Sequence, residues 1–145
     1  MKRDHAWIAA HIPHQGTMCL LDSVERWSDD DITCRAVSHR CAANPLRIDG
    51  RLGIANGIEF AAQAMAVHGA LLAANDGPPA VGFLTSVRDV QWQRTRLDDI
   101  DADLVVHARR IAGNSGSLLY QFELHADETV VLSGRASVMI KAPPA

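Results

Sequence analysis

Asn56-Gly57-Ile58-Glu59-Phe60-Ala61-Ala62-Gln63-Ala64-Met65-Ala66-Val67 is the stretch whose reading decides the fold. Asn56 can cap a helix, and Ile58, Ala61, Ala62, Met65 and Leu72 then recur at helical spacing. The spacing predicts one long helix from Asn56 to about Asn75, stopped by Asp76-Gly77-Pro78-Pro79. Ala61, Ala62, Ala64, Ala66, Gly69, Ala70, Ala73 and Ala74 make it thin, so that a sheet can approach on several sides. Glu59 stands out in this setting, because an ionised carboxylate is almost never fully buried without a partner. Either that face of the helix meets solvent, or the fold holds the carboxylate for a purpose. Gln63, four residues on, shares its face.

Downstream of the helix the apolar period changes to two. Ala80–Trp92, Ile100–Arg109, Leu118–His125 and Val130–Ile140 read as strands, with Asn114-Ser115-Gly116 and Asp127-Glu128 as turns. Upstream, Met18–Arg26 and Ile32–Val37 form a plausible hairpin around Ser28-Asp29-Asp30-Asp31, and a short helix is expected around Trp7 to Ala10. The order of two strands, a helix and four strands predicts an α+β fold. One long helix is wrapped by a curved antiparallel sheet of about six strands, the last four arranged as a meander.

At 145 residues, 48% of them hydrophobic and 21% charged, the chain is expected to be a single domain spanning 1–145. The formal charge of −3 provides no basic field for nucleic acid. No apolar stretch is long and pure enough to span a bilayer, and Met1-Lys2-Arg3-Asp4-His5-Ala6-Trp7 has no apolar core of a secretion signal, so a cytoplasmic location is expected. Cys19, Cys34 and Cys41 are odd in number and show no CxxC, which argues for small apolar residues in a reducing compartment.

His39 opens the irregular segment between the hairpin and the helix, and an acid–base pair with Glu59 is the obvious candidate. That segment carries two turn signals, Asn44-Pro45 and Asp49-Gly50. The unpaired N–H groups near Ala55 to Ile58 could hydrogen-bond a carbonyl oxygen that gains charge, and Gly57 would let it approach closely. His11 and His14 flank Pro13, which argues against a helical metal pair; no third ligand is near, and no metal is expected. His14 is read as a residue that orients its loop, and His68, His107 and His125 as structural. Arg88, Arg94 and Arg96 form a basic cluster that either is a solvated edge or docks an acidic partner. Walker, GxGxxG and GxSxG motifs are absent, so phosphate-loop, dinucleotide and serine-hydrolase readings lack support.

Three segments together resemble the hotdog-fold 3-hydroxyacyl-acyl-carrier-protein dehydratases, most nearly their aryl-polyene and pigment-pathway relatives. Ile12-Pro13-His14 with Leu20-Leu21-Asp22-Ser23-Val24 resembles the family's "LPH…LLVDRV" stretch. His39 with Asn44-Pro45 resembles "GHFPGNP", and Glu59-Phe60-Ala61-Ala62-Gln63 resembles "EAMAQ" with its Glu-to-Gln spacing kept. The likeness runs from Ile12 to Ile140. It departs in three places: His39 lies one residue further from Asn-Pro, with Arg40 at the strict position; the stretch from Asn44-Pro45 to Glu59 is longer than the family's, containing Ile48-Asp49-Gly50-Arg51; and Ile54-Ala55-Asn56-Gly57 replaces Met-Pro-Gly before the helix.

The resemblance implies dehydration of a 3-hydroxyacyl thioester on acyl carrier protein to the trans-2-enoyl thioester. His39 and Glu59 would be catalytic, and Asn44, Gly57, Gln63 and His14 would serve substrate binding. His39 would take the C2 proton, Glu59 would assist departure of the C3 hydroxyl, and Gln63 would orient Glu59. No cofactor is implied, the phosphopantetheine arm belonging to the carrier. The family pairs two subunits edge to edge and draws histidine and carboxylate from different chains, so a homodimer or hotdog heterodimer is implied, with Arg94 and Arg96 contacting the carrier. Two alternatives stay open: a hotdog acyl thioesterase using the same Glu59, and a catalytically inactive carrier-binding subunit of a heterodimer.

Overall fold

A computed structural model describes residues 3–73, 81–114 and 116–141. The expected helix stop at Asp76–Pro79 and the turn residue Ser115 lie outside the described residues. Helix α1 (His5–His11) opens the chain, with the Asp4 carboxylate capping it by accepting from the Trp7 N–H at 3.0 Å. Strands β1 (Ser23–Trp27) and β2 (Asp31–Ala36) form the hairpin, followed by the irregular segment and helix α2 (Gly57–Ala73). Strands β3 (Val81–Trp92), β4 (Leu104–Gly113), β5 (Ser117–Ala126) and β6 (Thr129–Lys141) complete one six-stranded antiparallel sheet in the order β1-β2-β4-β5-β6-β3.

The order corrects the expected meander of four. Only β4, β5 and β6 follow one another; β3 crosses to the far edge and pairs with β6, while β4 pairs with β2. The helix therefore sits between halves of the sheet that are remote in sequence. Its buried residues Phe60, Ala61, Ala64, Met65, Val67 and Leu71 meet inward-facing Ile32, Cys34, Val106, Ala108, Phe122 and Leu124. Alanines at the contact let the sheet come close, and at Gly57 there is no room for a side chain. A Cβ there would lie 2.6 Å from Leu132 Cδ2 and 2.9 Å from Leu124 Cδ2, inside any van der Waals contact.

Turn chemistry matches the sequence where φ must be positive. Asp49 (φ 52°) and Gly50 (φ 76°) close a tight turn in which the Ile48 and Arg51 backbones exchange hydrogen bonds of 2.9 and 3.0 Å. Asp127 (φ 49°) and Glu128 (φ 67°) do the same between β5 and β6. Strand β3 is an edge, and along it Phe83 and Trp92 remain 51% and 57% exposed. No helix of the described residues is long and apolar enough to cross a membrane.

Candidate active site

Glu59 occupies the first turn of α2 and meets a histidine, but not His39. His14 Nε2 lies 2.9 Å from Glu59 Oε1, with the side chains 27% and 34% exposed. Pro13 ends the segment after α1 and sets His14 against the helix. Gln63 then fixes the pair from one turn further along. Its amide N–H groups donate to Glu59 Oε1 at 3.2 Å and to the Met18 carbonyl at 2.7 Å, and its Oε1 accepts the Leu20 N–H at 2.9 Å. Gln63 is fully buried. It thus ties α2 to the chain segment that carries His14, and holds both members of the pair in one frame. Gln63 and Glu59, expected to act together, are thus joined by a hydrogen bond. His14 Nδ1 is buried with no hydrogen-bond partner, so a neutral His14 donates from Nε2 and keeps its lone pair on Nδ1.

The structure does not bring His39 to Glu59 within the chain. His39 is fully buried, and its Nε2–H faces the carbonyls of Ile100 at 3.1 Å and Ala102 at 2.9 Å. Burial pushes its pKa below the ordinary histidine value, against the pull of those carbonyls. It is therefore a neutral imidazole with Nδ1 buried and unpartnered. The longer loop explains the placement: Arg47 donates to the His39 carbonyl at 3.0 Å, and Arg40 reaches the carbonyl of Asp101 and the carboxylate of Asp103.

Asn44 and Gly57 also sit differently from a substrate-binding role. The Asn44 amide donates to the Ser38 carbonyl at 3.1 Å and its Oδ1 accepts the Leu46 N–H at 2.9 Å, so it braces its own loop. The bare face of Gly57 is turned to Leu124 and Leu132 in the core. Nor are all the N–H groups before the helix free as expected. A 3-10 turn, Ile54–Asn56, spends the Asn56 N–H on the Gly53 carbonyl at 3.1 Å and the Gly57 N–H on Ile54 and Ala55, while the Ile54 N–H goes to Thr95 at 3.0 Å. Arg94 and Arg96 are no free basic patch: Arg94 pairs with Asp99 at 3.0 Å and Arg96 grips Asp98 through two nitrogens.

The Glu59–His14 pair opens on a cavity of about 440 Å³ running along α2 between the helix and the ends of β3, β5 and β6. Its walls are mostly apolar, from Ala62, Met65, Ala66, Leu72, Leu84, Leu118 and Val138. Three further polar residues line it, Arg110, Asn114 and Tyr120. Tyr120 is bound to a residue read from sequence as merely structural. His68, fully buried on α2, donates from Nε2 to the Ser28 carbonyl at 2.8 Å, so its Nδ1 accepts the Tyr120 O–H at 2.7 Å. Burial lowers the His68 pKa and pushes the Tyr120 phenol up to about 12, so both stay neutral. The sequence did mark the Ile12-Pro13-His14 segment, but nothing local in it signalled that His14 reaches Glu59. Arg110 and Tyr120 became visible only once strand register was known.

Comparison with solved structures places the fold among hotdog proteins. The dehydratase heterocomplex ApeI:P from Xenorhabdus doucetiae matches with a TM-score of 0.80 and 23% identity over 93% of this chain and 91% of that one. A thioesterase described as putative from Silicibacter sp. matches at 0.66 and 17% identity, over 97% and 93% of the two chains. A thioesterase from Pseudomonas aeruginosa matches at 0.58 and 13% identity, over 81% and 79%. No curated protein matches the chain in sequence. A family model for ApeP-like proteins, described as ApeP dehydratase, matches residues 6–144. With that match over nearly its whole length, and with a hotdog fold, the chain belongs to the ApeP-like dehydratase family.

Proposed function

We propose that the protein dehydrates a 3-hydroxyacyl thioester carried on acyl carrier protein, giving the trans-2-enoyl thioester. The observation that carries this reading is the His14–Glu59 pair, 2.9 Å apart at an apolar cavity long enough for an acyl chain. Glu59 Oε1 is held by His14 and Gln63, while no hydrogen bond from the described residues engages Oε2. That free oxygen takes the proton from C2 of the substrate. Electrons of the C–H bond move toward the thioester carbonyl, and the proton then passes from Glu59 to the C3 hydroxyl, which leaves as water as the C2–C3 double bond forms. His14, donating to Oε1, stabilises the carboxylate before the first transfer and again after the second. The base is thus reassigned from His39 to Glu59.

A second hotdog subunit completes the site in this reading. The exposed apolar side chains of edge strand β3 suit such a cover, and the similar ApeI:P structure is a heterocomplex. In this reading that subunit also brings donors to the thioester carbonyl. Thioester hydrolysis is the second reading, favoured by the same free Oε2, which could equally activate water.

The test is incubation with a 3-hydroxyacyl-loaded carrier protein, with and without a second hotdog subunit, followed by intact mass of the carrier. Loss of one water supports dehydration. Release of the whole acyl group establishes hydrolysis instead. No change in either mixture overturns the assignment. Retained dehydration in Glu59→Gln together with loss in His39→Ala would return the base to His39.

A further inference from the structure

Arg110 is a cation on the wrong side of the sheet. Its cross-strand partner on β5 is Tyr120, and Tyr120 is buried against α2, so both side chains belong to the inward face. Both line the cavity described above. A bulge in β4 immediately follows, between Arg110 and Ala112; bulges commonly re-aim a neighbouring side chain at a site. An arginine on an apolar inner face ordinarily has a carboxylate partner. Arg110 makes no ion pair among the described residues, and the cavity's one carboxylate, Glu59, is engaged by His14 and Gln63.

Its position relative to the chemistry follows from the helix. The Tyr120 hydroxyl is bonded to His68, which lies nine residues beyond Glu59 on α2, a separation of about 14 Å along the axis. The wall between is apolar. At this far end Tyr120 has spent its only proton on His68, leaving its oxygen lone pairs to accept. Asn114, also in the lining, has its Oδ1 occupied by the N–H groups of Gly116 and Ser117, which leaves its amide N–H groups to donate. A methyl-ended acyl chain reaching this point would strip water from Arg110 and return nothing.

We propose that Arg110, with Tyr120 and Asn114, selects acyl chains whose far end carries a hydrogen-bond-accepting oxygen, a hydroxyl or a carboxylate, in place of a methyl group. The proposal rests on reading the cavity as the acyl site and names what that site discriminates. Arg110 supplies the donors. The Tyr120 oxygen accepts a hydroxyl proton if one is present, so the two end groups differ in how they are held.

The test is calorimetric binding of three amide-linked acyl-pantetheine probes of equal length to the full chain, ending in methyl, hydroxyl or carboxylate. The neutral head is common to all, so only the far end varies. The oxygen-ended probes are expected to bind about tenfold tighter or more, as for a hydrogen bond to a charged group. The ratio between hydroxyl and carboxylate shows which end group the site prefers. Arg110→Met should bind all three probes alike, and Arg110→Lys should recover the carboxylate preference, with thermal unfolding verifying that both variants fold. Equal affinities in the native chain, or a preference that survives Arg110→Met, overturn the proposal while leaving the acyl site in place. Binding of none of the probes overturns the acyl-site reading and this proposal with it.

Discussion

Replacing Gln63 by alanine separates the fold's two uses of one side chain. The amide makes three hydrogen bonds, to the Met18 carbonyl, the Leu20 N–H and Glu59, from a fully buried position. Truncation strands the two backbone groups, at about 1–3 kcal/mol each. A water entering the vacated space would satisfy part of that, so a loss of about 3 kcal/mol is expected. For a domain of this size that lowers the midpoint of thermal unfolding by about 6–12 °C. Urea denaturation gives the free energy and calorimetry the midpoint. Dehydration should fall further than stability explains, because His14 loses its fixed position against Glu59. Gln63→Glu provides the control of shape. The introduced carboxyl can still accept from Leu20, but ionised it faces the Met18 carbonyl and Glu59. Its folded pKa is therefore raised, so stability matches the native protein below the ordinary glutamate pKa and declines as pH rises toward the folded value. A Gln63→Ala loss below about 1 kcal/mol with undiminished turnover would refute the claim that this amide frames the site.

Three further outcomes are expected. Glu59→Gln, which keeps the size of the side chain, should reduce dehydration at least about 100-fold with little change in the unfolding midpoint; turnover near the native rate would remove Glu59 from the chemistry. Lowering pH should destabilise the fold. His39 and His68 have pKa values depressed by burial, so the unfolded chain binds protons that the folded chain does not. Their contribution is present above the ordinary histidine value of 6.5 and is lost as pH falls below it, with a slope of at most about 1.4 kcal/mol per pH unit for each histidine. Urea titrations across that range on the native chain and on His39→Gln and His68→Gln should show the slope flatten in each variant. Gly57→Ala should destabilise by about 1–3 kcal/mol through overpacking against Leu124 and Leu132, despite a helix-propensity gain of about 1 kcal/mol; a rise in midpoint would mean that the sheet yields.

Local chemistry made much of the fold legible. The period of the apolar residues located α2 and all six strands, and Asp49-Gly50 and Asp127-Glu128 named their own turns. What the sequence could not carry was pairing. Adjacent segments suggest a meander, yet β3 pairs with β6 at the edge of the sheet opposite β1. The site divides the same way. Glu59 and Gln63, four apart on one helix, were readable as a unit, and their hydrogen bond is present. A loop motif near His39 in sequence points it at Glu59, but Arg47 braces the loop through the His39 carbonyl, Arg40 ties it to the Asp103 carboxylate, and His39 turns to Ile100 and Ala102. His14 comes to Glu59 through Gln63's contacts with Met18 and Leu20, which no spacing rule encodes.

The two ends of the cavity make opposite demands on one helix. At its first turn α2 must present a carboxylate to substrate, so Glu59 stays partly exposed, held by His14 from outside the helix and by Gln63 from the next turn. Nine residues on, His68 is fully buried in the middle of a run of small apolar residues, with both ring nitrogens engaged. A helix needing only to pack would carry an aliphatic residue there, since a buried imidazole costs desolvation unless both nitrogens find partners. The Ser28 carbonyl and the Tyr120 hydroxyl supply them, and in doing so they fix the phenol's proton away from the cavity. His68→Leu should therefore leave the phenol proton of Tyr120 without its acceptor and free to turn into the cavity. If Arg110 and Tyr120 select the end group together, that variant should weaken hydroxyl-ended probes relative to carboxylate-ended ones. An unaltered ratio would confine His68 to packing and leave discrimination to Arg110 alone.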